Sequence, residues 1–405
     1  MDAADFLAAE DRRAVEATAG PDAPPAPEAL WVDDDTWAEA DLPTRRWLVP
    51  GFALRGAITV LAGPPSAMKS SLTLAWAAAV ALGRDHGRFR PAEAAAVIVY
   101  NVEDDADEQR RRLSAALRQF DAEPADIRGR VIRAGPGGVG TLFARDAAGM
   151  LRPSAAMARL RELIAERRPA LLIADPLVEL HAEDENDNNS LRAVIAAFRA
   201  LAAEFDMAVI LVHHVRKGAM TPGDPDAARG ASAIVGAARI VVTLVPMSED
   251  DARAFGLPED RKTRSRYARL DDAKQNYAGI EDAQWLEKSL YTLENGETVP
   301  AAVPWSPPDI WAAISTTVAN AILDDIDAGM PDGRKYSDHN TAKDRAAWLI
   351  VAQHVPSLTE KQCRDVVATW VRNDVLRVVQ YADPVDRKPR QGLVLNPARR
   401  PGRVQ

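Results

Sequence analysis

The chain has 405 residues, 47% of them hydrophobic, a net charge of −9 and one cysteine, Cys363. A single cysteine excludes an intrachain disulfide and a multi-cysteine zinc site and suits a reducing cytoplasm. The start, Met1-Asp2-Ala3-Ala4-Asp5, lacks the pattern of a secretory signal, and no uncharged apolar run is long enough to span a membrane. The length implies two or three domains.

The charge is unevenly spread. Residues 1–45 hold twelve acidic and three basic residues, whereas residues 329–405 hold fourteen basic and eight acidic ones. An acidic chain argues against nucleic-acid binding as a whole, but phosphate attraction follows local charge, and the C-terminal segment is basic. Residues 1–44 are rich in Ala, Asp and Glu, with Pro21, Pro24, Pro25 and Pro27 close together, and predict a flexible acidic tail. Its Trp31 and Trp37 could dock on a partner or on the chain's own body.

The segment 45–295 predicts an α/β core. Short apolar runs predict strands over 57–62, 96–100, 130–133, 170–174, 208–213 and 239–246; continuous apolar runs suit strands buried on both faces. Helices are predicted over 70–82, 106–120, 154–167 and 190–205. The alternation implies a mainly parallel sheet with helices on both sides. Strands near 266–274 and 285–293 are expected to extend it as an antiparallel edge. Residues 296–328 read as a linker and a helix, with Gly296, Pro300, Pro304, Pro307 and Pro308 marking the linker.

The first predicted strand runs into Gly63-Pro64-Pro65-Ser66-Ala67-Met68-Lys69-Ser70-Ser71, the candidate nucleotide-binding residues, at the start of the apolar helix predicted over 70–82. A phosphate loop reads Gly, four variable residues, Gly, Lys, then Ser or Thr. Gly63, Lys69 and Ser70 match, and Met68 stands where the second Gly belongs. The chemistry needs successive backbone N–H groups around the phosphates at a helix N-terminus. Lys69 would reach the β/γ-phosphates of ATP, and the Ser70 hydroxyl would bind Mg²⁺. Met68 could still donate its N–H if its side chain turned away.

Leu171-Leu172-Ile173-Ala174-Asp175 is an apolar strand ending in an acid, which suits an Asp that orients Mg²⁺. A second strand ends in Asn101-Val102-Glu103-Asp104-Asp105, where Glu103 is the candidate to orient the attacking water and Asp104 or Asp105 could cap the next helix. A third ends in His213-His214. Adjacent side chains on a strand point to opposite faces, so they make a poor metal pair; His214 is the candidate to face the γ-phosphate.

Together these pieces resemble the RecA-like hexameric ATPases of the plasmid replicative helicase RepA type, over about residues 45–280. The likeness rests on residues 63–70, 100–104, Asp175, the acidic block 180–188, Ile210-Leu211-Val212-His213-His214 with Lys217-Gly218, Arg229-Gly230-Ala231-Ser232, and Lys274-Gln275-Asn276-Tyr277. The resemblance implies ATP sites shared between subunits, Glu103 as catalytic carboxylate, Arg229 as an arginine finger offered to a neighbour, and Lys274 as a second inter-subunit cation. It also implies a DNA-facing loop at 216–228 holding Lys217, while the acidic charge of the 183–187 loop would repel phosphate.

Residues 329–398 predict a small α+β domain: helices over 341–353 and 359–373, then a hairpin of 375–381 and 392–395 with Arg387, Lys388 and Arg390 between the strands. That order resembles a winged helix, which would place Lys361, Arg364 and Arg372 on or near a recognition helix and the basic wing on the DNA backbone. A winged helix used for protein contact is the alternative. The whole predicts a homo-oligomeric, hexameric, ATP- and Mg²⁺-dependent DNA motor of a plasmid, phage or mobile element, with a possible replication partner protein. An ATP-binding DNA-associated regulator, or an assembly scaffold that unwinds nothing, stays open beside it.

Overall fold

The computed structural model describes residues 37–402, except 136–140, 148–150, 178–187, 216–220, 225–235, 237 and 340. The chain divides into two units at Arg45/Arg46, and of the first only residues 37–45 are described. The first contributes a 3₁₀ turn at Glu39–Asp41; the sheets and helices belong to the second.

In chain order the elements are β1 (Trp47–Val49), β2 (Ala53–Leu54), β3 (Ile58–Gly63), α1 (Lys69–Leu82), β4 (Val97–Asn101), α2 (Ala106–Arg118), β5 (Val131–Ala134), β6 (Phe143–Arg145) and β7 (Leu151–Pro153). Then come α3 (Ala155–Arg167), β8 (Leu171–Asp175), α4 (Asn188–Glu204), β9 (Ala208–His214), β10 (Ile240–Pro246), α5 (Glu249–Phe255), α6 (Arg261–Arg264), β11 (Tyr267–Gln275), β12 (Gln284–Thr292) and β13 (Thr298–Trp305). The C-terminal part holds α7 (Thr316–Ala328), α8 (Trp348–His354), α9 (Glu360–Arg372), β14 (Leu376–Ala382) and β15 (Pro389–Leu395).

Nine strands make one sheet in the order β13-β12-β11-β10-β3-β9-β8-β4-β5. From β10 to β5 every pairing is parallel; β10, β11, β12 and β13 pair antiparallel. The apolar runs are explained by burial on both faces, since β3, β4 and β8 are buried along their whole length. Alternate side chains serve two cores, as a period of two requires. Leu61, Val99, Ile173 and Val212 pack with α1 and α2. Val60, Ile98, Leu172 and Leu211 pack with α3 and α4. Helix α1 is buried nearly all round, and its Ala-rich sequence lets sheet and neighbours approach closely. Gly83, at φ +66°, ends it in the left-handed conformation.

Three expectations are corrected. Residues 296–308 are not simply a linker: β13 lies within them and forms an edge of the sheet. Proline lacks an N–H, so Pro300 and Pro304 fit a strand paired on one side only. The helix expected over 341–353 is shorter: a 3₁₀ turn at Lys343–Arg345 precedes α8, with Lys343 at φ +50° and Ala346 extended. Helix α7, expected apart from the last domain, shares one core with α8, α9, β14 and β15 through Ile322, Leu323, Val351, Val366, Trp370 and Leu393. Among the described residues no helix is long and apolar enough to cross a membrane.

Candidate nucleotide site

Strand β3 delivers Gly63 level with His214 of β9. A Cβ at Gly63 would lie 2.6 Å from the Leu244 carbonyl oxygen, so only glycine lets the loop leave the sheet here. Ser66 and Met68 both take φ +66°, and α1 begins at Lys69. Met68 is the N-cap, in the left-handed conformation where glycine is usual. Its side chain is buried, belongs to the same core cluster as Leu72, and borders the cavity beside the loop. Met68 therefore preserves the curl of the loop, at a conformational cost of roughly 1–2 kcal/mol.

Lys69 is 4% exposed. Its Nζ donates to the carbonyls of Gly63 and Pro64, each at 2.8 Å. Burial lowers its pKa to about 8, against the pull of the Asp175 and Glu103 carboxylates. Asp175, at the end of β8, is 1% exposed, and burial raises its pKa to about 6. The Ser70 hydroxyl beside it favours the charged form, yet neither carboxylate oxygen sits in a well-aligned hydrogen bond. A carboxylate buried with so little hydrogen bonding is costly by itself and suits a cation. The oxygen donors Ser70 and Asp175, with Lys69 adjacent, thus fit Mg²⁺ and a polyphosphate.

Asn101 closes β4 level with Asp175, and the turn after it carries Glu103, exposed, close enough for its charge to act on both Lys69 and Asp175. Asp105, not Asp104, caps α2, accepting from the N–H groups of Asp107 and Glu108. Asp104 instead binds Arg112 at 2.8 Å. His214, at the end of β9, is lowered to about 4 by burial and by the Lys69 charge, and its Nε2 is buried without a partner; it is a neutral imidazole at working pH. All of these groups sit at the carboxyl ends of parallel strands, where open α/β sheets bind ligands.

The remaining sequence candidates separate from this cluster. Arg229, Lys217 and the acidic block 180–187 lie outside the described residues. Lys274 donates to the carbonyl of Ala238 at 2.8 Å within its own chain. One feature had no sequence signal. A cavity of about 280 Å³ borders Pro65, Ser66, Ala67 and Met68 and is walled by Arg264, Tyr267 and Lys288. Those residues come from α6, β11 and β12, and only the antiparallel extension of the sheet brings them to the loop.

The basic residues of the C-terminal part are partly engaged. Lys361 points to the core, its Nζ 3.4 Å from the Asp250 carbonyl of α5. Arg364 pairs with Glu360 and lies over the Trp348 ring. Arg390 pairs with Asp383 and Asp386. Arg372, Arg387 and Lys388 are exposed.

Residues 22–220 match the family model described as an AAA domain. The large, mostly parallel sheet, with the phosphate loop between β3 and α1, fits a RecA-like P-loop fold. Among solved structures, a KaiC-like protein from the hyperthermophilic archaeon Pyrococcus horikoshii OT3 aligns over 64% of this chain and 94% of its own, at 12% identity and a TM-score of 0.40. A likeness that slight adds nothing to the strand order and loop geometry.

Proposed function

We propose that this chain is a DNA-associated, ATP-hydrolysing motor of the replicative-helicase kind, working as a homo-oligomer, a hexamer by resemblance, in a plasmid, phage or other mobile element. The observation that supports the reading most is the buried Asp175 carboxylate beside the Ser70 hydroxyl and the Lys69 ammonium of the phosphate loop. Lys69 would exchange the Gly63 and Pro64 carbonyls for the β- and γ-phosphates. Ser70 and Asp175 would hold Mg²⁺, which supplies charge neutralisation on the phosphate oxygens. Glu103 would orient and deprotonate the attacking water, and the neutral imidazole of His214 would face the γ-phosphate. The cavity beside Met68 would take the nucleoside, with Tyr267 offering an aromatic face. Arg229 would act on a neighbour's site, and Lys217 would meet DNA.

Helix α7, a bridge of Ser337 to Ala346, then α8, α9 and the β14–β15 hairpin follow the order of a winged helix. Arg372, Arg387 and Lys388 would make its phosphate contacts. A second reading, a DNA-associated regulator without unwinding activity, is favoured by the docking of Lys361 on α5 and by the carboxylates paired with Arg364 and Arg390. ATPase assays with and without single-stranded DNA separate the two. The motor reading expects DNA to stimulate turnover several-fold and Glu103→Gln to abolish it while ATP still binds. Turnover indifferent to DNA favours the regulator, and normal hydrolysis by Glu103→Gln refutes the catalytic assignment.

A further inference from the structure

We infer that Asn101 and Gln109 are positioning residues that fix the turn carrying Glu103 in its working place. The inference rests on the reading of Glu103 as the water-orienting carboxylate. Asn101 is 3% exposed and Gln109 fully buried. The Asn101 Oδ1 accepts from the backbone N–H of Glu103 at 3.0 Å and of Asp104 at 2.9 Å. From the first turns of α2, the Gln109 Nε2 donates to the carbonyls of Asn101 at 3.3 Å and of Asp104 at 3.1 Å. Two side chains thus hold both the amides and the carbonyls of one short turn.

The turn is closed on its other side as well. A Cβ at Gly135, φ +99°, would lie 2.6 Å from the Asn101 carbonyl oxygen. Arg112 ties Asp104 to α2. Glu103 is the exposed residue on this clamp.

An Asx turn alone would serve to begin a helix, but Asp105 already caps α2. The Asn101 and Gln109 clamp acts upstream of that cap, on the residues that place Glu103 relative to Asp175. Gln109 also buries an Oε1 without a partner, a cost that an apolar side chain would avoid. Clamped geometry matters to the reaction because a water-orienting group displaced by about 1 Å can lose on the order of a hundredfold in rate.

The test uses the full chain as wild type, Asn101→Ala, Asn101→Ser and Gln109→Leu, with steady-state ATP hydrolysis, equilibrium ATP binding and amide hydrogen exchange without nucleotide. Asn101→Ala is expected to lower kcat by about 10- to 100-fold with the ATP dissociation constant within about threefold, and to speed exchange at the Glu103 and Asp104 amides. A Ser hydroxyl can accept from the same N–H groups, so Asn101→Ser should recover much of both readouts. Gln109→Leu should lower kcat less, at unchanged ATP affinity, and tests the clamp even if Asn101→Ala does not fold. Wild-type kcat in Asn101→Ala, or a loss in which ATP binding falls equally and Ser rescues nothing, overturns the inference. Absence of turnover in a wild type that binds ATP overturns the Glu103 reading, and this inference with it.

Discussion

Met68 shows how a single residue can break a motif and keep its geometry. The loop needs a left-handed residue before the helix, and Met68 supplies it at φ +66° while its side chain fills the α1 core. Two effects oppose each other. Truncating a buried Met costs about 2–5 kcal/mol, and glycine at this φ regains roughly 1–2 kcal/mol. Met68→Gly should therefore lower stability by about 2 kcal/mol, and by at most about 4, with ATP affinity little changed. Met68→Ala, which keeps the strain and loses the packing, should be less stable than Met68→Gly by about 1 kcal/mol. Denaturant melts of the three proteins give the order, and an Ala variant as stable as the Gly variant contradicts it. Lys69 carries a second prediction. Burial lowers its pKa in the free site to about 8, and bound phosphate favours its charged form. Above that pH, binding must take up a proton, so ATP affinity should hold to about pH 8 and then fall by roughly tenfold per unit. Fluorescent-nucleotide titrations from pH 7 to 9.5 would show this; a flat profile contradicts it.

At the scale of elements, the strands buried on both faces were legible because two-sided burial leaves an unbroken apolar run, as in Leu171–Asp175 and Ala208–His214. The groups at their carboxyl ends were legible for the same reason: each follows such a run. Strand β13 was not, because Pro300 and Pro304 speak against a strand in general and only an edge position permits them. Helix α5 has a capping box from Ser248 to Asp251 and Gly256 at its end, but its 7 residues are too few to show a helical period. The α6, β11 and β12 residues around the cavity had no local pattern, since topology alone unites them. The same two prolines blunt an edge that would otherwise offer free N–H groups to another sheet. Replacing both with Thr should leave the fold intact and promote concentration-dependent association. Light scattering checks this, and an unchanged monodisperse profile counts against the edge-protection argument.

For the whole molecule, two cores on opposite faces of one sheet hold the strand ends in register, and a third core organises the C-terminal helices and hairpin. The C-terminal part touches the nine-stranded core near α5, where Lys361 meets Asp250 and a Cβ on Gly256 would lie 3.1 Å from the Gln362 amide. Helix α5 follows Met247, which also lines the cavity beside the phosphate loop, so that cavity and α9 lie at the two ends of one short structural path. Everything functional in this arrangement depends on the loop gripping a nucleotide. The direct measurement is equilibrium binding of ATP, with and without Mg²⁺, to the wild-type chain and to Lys69→Ala. The account predicts saturable, magnesium-strengthened binding by the wild type and a loss of at least about 100-fold, some 2.7 kcal/mol, in the variant. No binding by the wild type, or equal binding by Lys69→Ala, would contradict it.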